Sequence, residues 1–285
     1  MNALLFASLT LRELVRRRLV AAAVLLTLVI IAFTAWGLHR LATAQVDGAP
    51  LGDAAVRTAA AGIVILLAFL FSFVLALGAA LVGAPAMAES VANGEILAVL
   101  ARPVRRGEVV LGRWLGTVFA LAVYVAATGG VELLVVRVTT GYAPPHPLVA
   151  LAYLAGVAAV VTTCAVVLAA RLPALAAGIV AALLFGLAWI GGIVESIGLA
   201  LGNRGMADAG TVTALVFPSD ALWRGALYAL QPAVFTAAAA NAGGSQTVNP
   251  FTVSSPPPPA LLAWACGWML IAIVAAVALF RSRDL

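Results

Sequence analysis

The chain has 285 residues, of which 64% are hydrophobic and 9% charged, and its formal net charge is +5. A soluble domain is about half apolar and about a quarter charged, so this chain cannot cover a core with polar surface. That excludes a soluble globular enzyme, and its apolar content excludes disorder. All 16 positions counted as Lys or Arg are arginine. Without lysine there is no phosphate-loop lysine, no Schiff-base lysine and no lysine general base.

A hydrocarbon core about 30 Å thick is crossed by about 20 apolar helical residues. Six segments meet that requirement, at about 19–41, 57–85, 114–137, 147–170, 173–195 and 260–280. The chain therefore reads as one transmembrane domain over 1–285, an all-α integral membrane protein with six transmembrane helices.

Residues 2–18 mix leucines with Arg12, Glu13 and the Arg16–Arg18 run. They predict an N-terminal interfacial helix lying on the inner leaflet; a frayed basic tail is the alternative, and both orient the first span alike. Ala42-Thr43-Ala44 looks like a signal-cleavage site. The long apolar run, and His39 and Arg40 between it and that site, argue for a retained span.

The second span carries no charge until Glu89, so its helix projects beyond the hydrocarbon. Residues 86–113 form the most charged loop of the chain. Asn93-Gly94 suits a helix end, the apolar residues at 96–100 form about one helical turn, and Arg102-Pro103 stops it. A short helix anchored by two spans is a natural docking element; a loop that merely orients the protein is the rival reading.

Glu132 is the ionisable residue within a span. An intramembrane carboxylate is a functional candidate. Its place about one turn from Arg137, near the outer end, makes a structural carboxylate reaching the interface the preferred reading. Pro147 and Pro173 open the fourth and fifth spans, where a missing N–H costs little. Cys164 and Cys266 lie in apolar runs and read as small buried hydrophobes.

The outer region, 196–259, is too long for a simple connection. Ser219 or Asp220 can cap a helix start, and Asp220 and Arg224, four apart, can pair on one helix face. The apolar stretch at 225–240 is too short to span and is interrupted by Pro232, which predicts an outer re-entrant or interfacial helix between spans five and six. Glu195 is expected to be solvated at a span end. Residues 241–259, with Gly243-Gly244 and four consecutive prolines, read as a flexible stretch running into a stiff polyproline spacer.

With both termini cytoplasmic, 11 of the 16 arginines fall inside and 5 outside, which the positive-inside rule favours. Nucleotide motifs are missing, the two histidines lie away from any Cys or carboxylate cluster, and no basic patch suits nucleic acid. The sequence offers no catalytic residue set and no metal site.

The inner loop carries a recognisable pattern: Glu89, Gly94-Glu95-Ile96, Leu100, Pro103-Val104-Arg105-Arg106, Val109-Val110-Leu111-Gly112-Arg113 and Leu115-Gly116. It resembles the signature loop of ABC-2 type permeases, the membrane subunits of ATP-binding-cassette exporters. The Arg12-Glu13-Leu14 entry, the Pro218-Ser219-Asp220 and Arg224 segment, and the terminal Phe280-Arg281-Ser282-Arg283-Asp284-Leu285 agree with it. The pattern is most similar to the six-span branch that includes the nitrous oxide reductase maturation and sodium or drug efflux permeases. Arg113 stands where that family usually has lysine, which keeps the charge, and 241–259 is no family motif.

The resemblance implies a transport permease in the bacterial plasma membrane that pairs with a second copy of itself. Two copies of a separate ABC ATP-binding subunit, which hold the ATP and Mg, would dock on the 86–113 cytoplasmic coupling loop through Glu89, Gly94, Glu95, Pro103, Arg105 and Arg106. This chain would bind no cofactor, and its contacts beyond the bilayer would include an outer-face accessory protein. A non-transporting scaffold that transmits mechanical work shares the same loop. An intramembrane enzyme is disfavoured because Glu132 lacks a second polar group at its depth.

Overall fold

A computed structural model describes residues 2–16, 18–46, 49–92, 106–241 and 249–281. Its helices are α1 (Asn2–Arg16), α2 (Arg18–Ala42), α3 (Asp53–Ala92), α4 (Arg106–Thr140), α5 (Pro147–Ala169), α6 (Ala174–Ala200), α7 (Arg204–Val216), α8 (Ser219–Leu230), α9 (Ala233–Asn241) and α10 (Pro259–Arg281). A two-residue ladder, β1 (Gln45–Val46) with β2 (Ala49–Pro50), closes the turn between α2 and α3 with Gln45 opposite Pro50. Six helices, α2 to α6 and α10, are long and apolar enough to cross a membrane.

The centre of the bundle is α5. It packs against α3, α4, α6, α8 and α10, and Val157, Ala158, Val160, Val161 and Ala165 are fully buried. Its small and β-branched residues let neighbours approach closely, as the association of membrane helices requires. Trp114 donates its indole N–H to Thr163 Oγ1 at 2.8 Å, tying α4 to α5. Between α2 and α4, the hydroxyls of Thr27 and Tyr124 are 2.6 Å apart. On the outward face α2 exposes Leu25, Leu28, Val29 and Phe33, among others, as a lipid-facing helix should.

α1 lies close against α4. A side chain at Gly116 would meet the Ala7 carbonyl at 2.7 Å and Thr10 Cβ at 3.0 Å, so glycine there sets the distance between the two helices. Thr10 is buried, while Leu4, Leu5 and Leu9 point outward. The cysteines are free; Cys164 is buried, but Cys266 lies on the exposed face of α10, against the expectation that both are buried. The apolar run around Cys266 faces lipid, where hydrophobic residues need no protein cover.

Residues 93–105 lie outside the described residues, and with them the short loop helix and Gly94, Glu95, Pro103 and Arg105. Glu89 falls in the last turns of α3, and Arg106 opens α4.

The region between the fifth and sixth apolar helices departs most from expectation. α6 continues to Ala200 and stops where Gly202 takes a left-handed φ of 64°. The Asn203 N–H reaches back to the Gly198 carbonyl at 2.8 Å, a glycine-terminated helix end. Asn203 then caps α7 by accepting from the Met206 N–H at 3.2 Å. Chain direction thus reverses within three residues, and α7 runs back along α6. After Phe217-Pro218 the chain turns again. α8 climbs beside α5, with Leu222 against Gly156 and Gly225 against Tyr153. It ends where the Tyr142 hydroxyl donates to the Leu230 carbonyl at 2.6 Å and the His146 N–H to Ala229 at 3.1 Å. The inward-folded element is therefore the α7–α8 hairpin, and the apolar stretch at 225–240 is split between the end of α8 and α9. Pro232, which has no N–H to continue the helix, makes that division.

Candidate functional site between α6 and the α7–α8 hairpin

The hairpin docks on α6 through glycines. A Cβ on Gly191 would collide with Thr213, on Gly198 with Met206 and Ala207, on Gly210 with Glu195 and the Gly191 carbonyl, and on Gly192 with the Asp220 carboxylate. Such backbone proximity is reached only where no side chain intervenes.

The space so opened holds a charged cluster. Arg224 Nε donates to Asp220 Oδ2 at 2.8 Å, the one-turn pairing that their spacing allows. Arg224 Nη2 donates to Glu195 Oε2 at 2.9 Å and to the Gly192 carbonyl at 2.6 Å. The guanidinium thus bridges α8 to α6 with its planar fork. Thr211 on α7 completes the set, its hydroxyl donating to Glu195 Oε1 at 3.3 Å. Asp220 is only 5% exposed. Burial pushes its carboxyl up to about 6; Arg224 opposes the rise and the Glu195 charge adds to it.

Two expectations for these residues fail. Glu195 is no freely solvated span-end carboxylate: α7 folds back over it and Arg224 pairs with it. Ser219 does not cap α8, because Pro218 occupies the cap position and Ser219 is already the first helical residue. Its buried hydroxyl finds no hydrogen-bond partner among the described residues. Asp220 turns away from the helix start to meet Arg224.

A cavity of about 970 Å³ adjoins this cluster. Glu195, Asp220 and Arg224 line one side, α3 contributes Ile65 and Leu66, and residues 249–258 lie across it. Gly243-Gly244 of the expected flexible stretch lie outside the described residues, whereas its later part, from Asn249, is anchored. The Val253 N–H donates to Gln231 Oε1 at 3.0 Å, Phe251 meets Phe69 edge-on with ring centres 5.0 Å apart, and Pro257 is buried. Phe69 also contacts Trp189 at 5.1 Å and Trp223 at 6.0 Å, so one aromatic cluster joins α3, α6, α8 and the returning chain. Trp264 of α10 donates to the Leu215 carbonyl at 2.9 Å, holding the end of α7.

Glu132 lies apart from this site. Its side chain turns toward α2, where Thr34 stands beside it. Both carboxylate oxygens are shielded from solvent without a well-formed hydrogen bond. No ion pair to Arg137 forms among the described residues.

The described elements are an N-terminal helix before the first long apolar helix, a second that runs on to Ala92, and the α7–α8 hairpin before the sixth. A family model for the ABC-2 family transporter protein matches residues 7–285. The chain belongs to the ABC-2 transporter family. It is a multi-pass membrane permease component of an ABC transporter, a class that works with an ATP-binding subunit. Among curated proteins, none matches the chain significantly.

Proposed function

We propose that this ABC-2 protein is the pathway subunit of an exporter in a bacterial plasma membrane. It acts as a homodimer with two separate ATP-binding subunits, and both its termini are cytoplasmic. ATP and Mg belong to those partners, and the chain itself is not an enzyme. The coupling contact is assigned to 86–113, with Glu89, Gly94, Glu95, Pro103, Arg105 and Arg106 as its residues. The observation that carries the reading is the polarity of the bundle within a recognised permease family. The charged loop joins α3 and α4 at one end, and the cavity with its ion cluster opens at the other. Work delivered at the first end therefore acts on α3, which also lines the cavity through Gly62, Ile65 and Leu66.

One feature favours the rival reading, a mechanical transmitter without cargo. Arg224 fastens the outer hairpin to α6, so movement of α6 carries the outer surface with it. Co-expression with the ATP-binding subunit and reconstitution into liposomes separates the two. An ATPase rate that rises with a transported compound supports export. A rate that responds only to an outer-face accessory protein supports the transmitter.

A further inference from the structure

The charged residues lining the outer cavity are Glu195, Asp220 and Arg224. Two carboxylates face one guanidinium, which leaves the wall one negative charge in excess when both are ionised. Three of the five guanidinium N–H donors are used, Nε on Asp220 and Nη2 on Glu195 and the Gly192 carbonyl, and its single charge is shared by two carboxylates. Asp220 is buried behind it. The acceptor with capacity to spare is Glu195 Oε1, which among the described residues receives the long Thr211 bond of 3.3 Å alone, although a carboxylate oxygen has two lone pairs to offer. Glu195 keeps 23% of its side chain exposed at this wall. Much of the remaining lining is apolar, with Ile65, Leu66, Leu199, Phe235, Phe251 and Leu261 among it.

We infer that this cavity binds an organic monocation with a bulky apolar body, its charge at Glu195 Oε1 and its body against Phe235 and Phe251. Aromatic faces attract such cations and apolar walls desolvate them. The volume, about 970 Å³, admits a multi-ring molecule, since ligand pockets run to about 1,000 Å³. An anion would find its counter-charge already neutralised by two carboxylates. Among the described residues no group of three or more His, Cys, Asp or Glu stands together to hold a bare metal cation, and hard divalent cations favour several carboxylate ligands. Binding is read without transport, so this inference and the permease reading can fail separately.

The test uses full-length protein in lipid nanodiscs with tetraphenylphosphonium as the probe. Tetraphenylborate, of the same shape and opposite charge, is the comparator, and empty nanodiscs correct for partitioning. The expected result is saturable phosphonium binding at one site per chain, with none for the borate. Glu195→Gln keeps the shape and removes the charge, and weakens phosphonium binding about tenfold, the scale of one lost charge contact. Ser255→Trp, at the cavity mouth and away from the ion cluster, blocks binding without touching Arg224 or its partners, and so keeps the test valid if Glu195→Gln misfolds. An ammonium-bearing lipid and a free amphipathic amine share this chemistry. Displacement of the probe by a double-chain quaternary ammonium lipid assigns the site to the lipid, and persistence assigns it to the free cation; both sustain the inference. Absence of saturable binding, equal binding of the borate, or wild-type affinity in Ser255→Trp overturns it.

Discussion

Gly192 on α6 and Asp220 on α8 occupy one space: the carboxylate of Asp220 fills the volume that a side chain on Gly192 would take. Gly186, six residues earlier on the same helix, has nothing within 4 Å of its would-be Cβ. Gly192→Ala must therefore push α8 away from α6, and overpacking of this kind costs about 1–3 kcal/mol. Gly186→Ala should be neutral or stabilising by about 0.5–1 kcal/mol through helix propensity. Thermal survival of the two variants in detergent, compared with wild type, checks the pair. Equal losses would mean that the Gly192 contact does not set the packing of α8.

Removing Arg224 leaves Asp220 buried without its partner. Arg224→Ala should lose about 2–4 kcal/mol, since an orphaned buried charge is costlier than a lost surface pair. Adding Asp220→Asn should restore much of that loss, because the deeply buried group left behind is then neutral, while Glu195 keeps 23% of its side chain exposed. The double variant surviving heating better than Arg224→Ala alone is the outcome to look for. Additive damage would show that the ion pair, and not the stranded charge, dominates.

Asp220 also gives the fold a pH dependence of definite sign. Its carboxyl is raised by burial from 3.8 to about 6. Between those values the folded chain holds a proton that the unfolded chain has released. Stability therefore falls as pH rises from about 4 to about 6, and this contribution is flat above that. A shift of this size corresponds to about 2–3 kcal/mol. Asp220→Asn removes the slope, so wild type minus variant should decline across that window in unfolding measurements. A difference that rises, or stays level, would contradict the burial argument.

The six spans were legible because each is a long, nearly charge-free run, and proline or arginine marks their ends. The Asp220–Arg224 pair was legible too, because helix periodicity brings residues four apart together. The partner of Arg224 on α6 was not. Glu195 lies 29 residues away, and the reversal that unites them depends on Gly202 at φ 64° and the Asn203 cap. α7 escaped notice because the face it turns to α6 is marked by small residues, Gly210, Thr213 and Ala214, which give little periodic signal while packing closely on glycines. By composition, 241–259 reads as a flexible stretch running into a stiff polyproline spacer, and its described part, 249–258, is anchored. Phe251 and Val253 hold it through contacts with Phe69 and Gln231 that no local pattern announces.

The proposed coupling role of 86–113 makes the last prediction. α3 runs unbroken from Asp53 to Ala92 and α4 begins at Arg106, and the two helices pack on each other. The loop between them is thus held at both ends by helices that also wall the core, so a push there reaches α3, which lines the outer cavity through Ile65 and Leu66. Glu89 and Glu95 offer negative charge, and Arg105 and Arg106 positive charge, to a complementary groove on the ATP-binding subunit. Truncating one member of a desolvated charge pair across an interface costs about 2–5 kcal/mol, whereas a rim charge changes little. Glu89→Ala and Glu95→Ala should each weaken co-purification of the ATP-binding subunit or uncouple hydrolysis, and the double variant more strongly. Membrane insertion and the thermal survival of the isolated chain should stay at wild-type level, since the spans are untouched. Arg105→Ala should have less effect, because Arg106 stands next to it and can substitute. Co-purification yield together with ATPase rate in liposomes decides the matter. Wild-type association and coupling in the double glutamate variant would reduce the loop to a signal of membrane orientation.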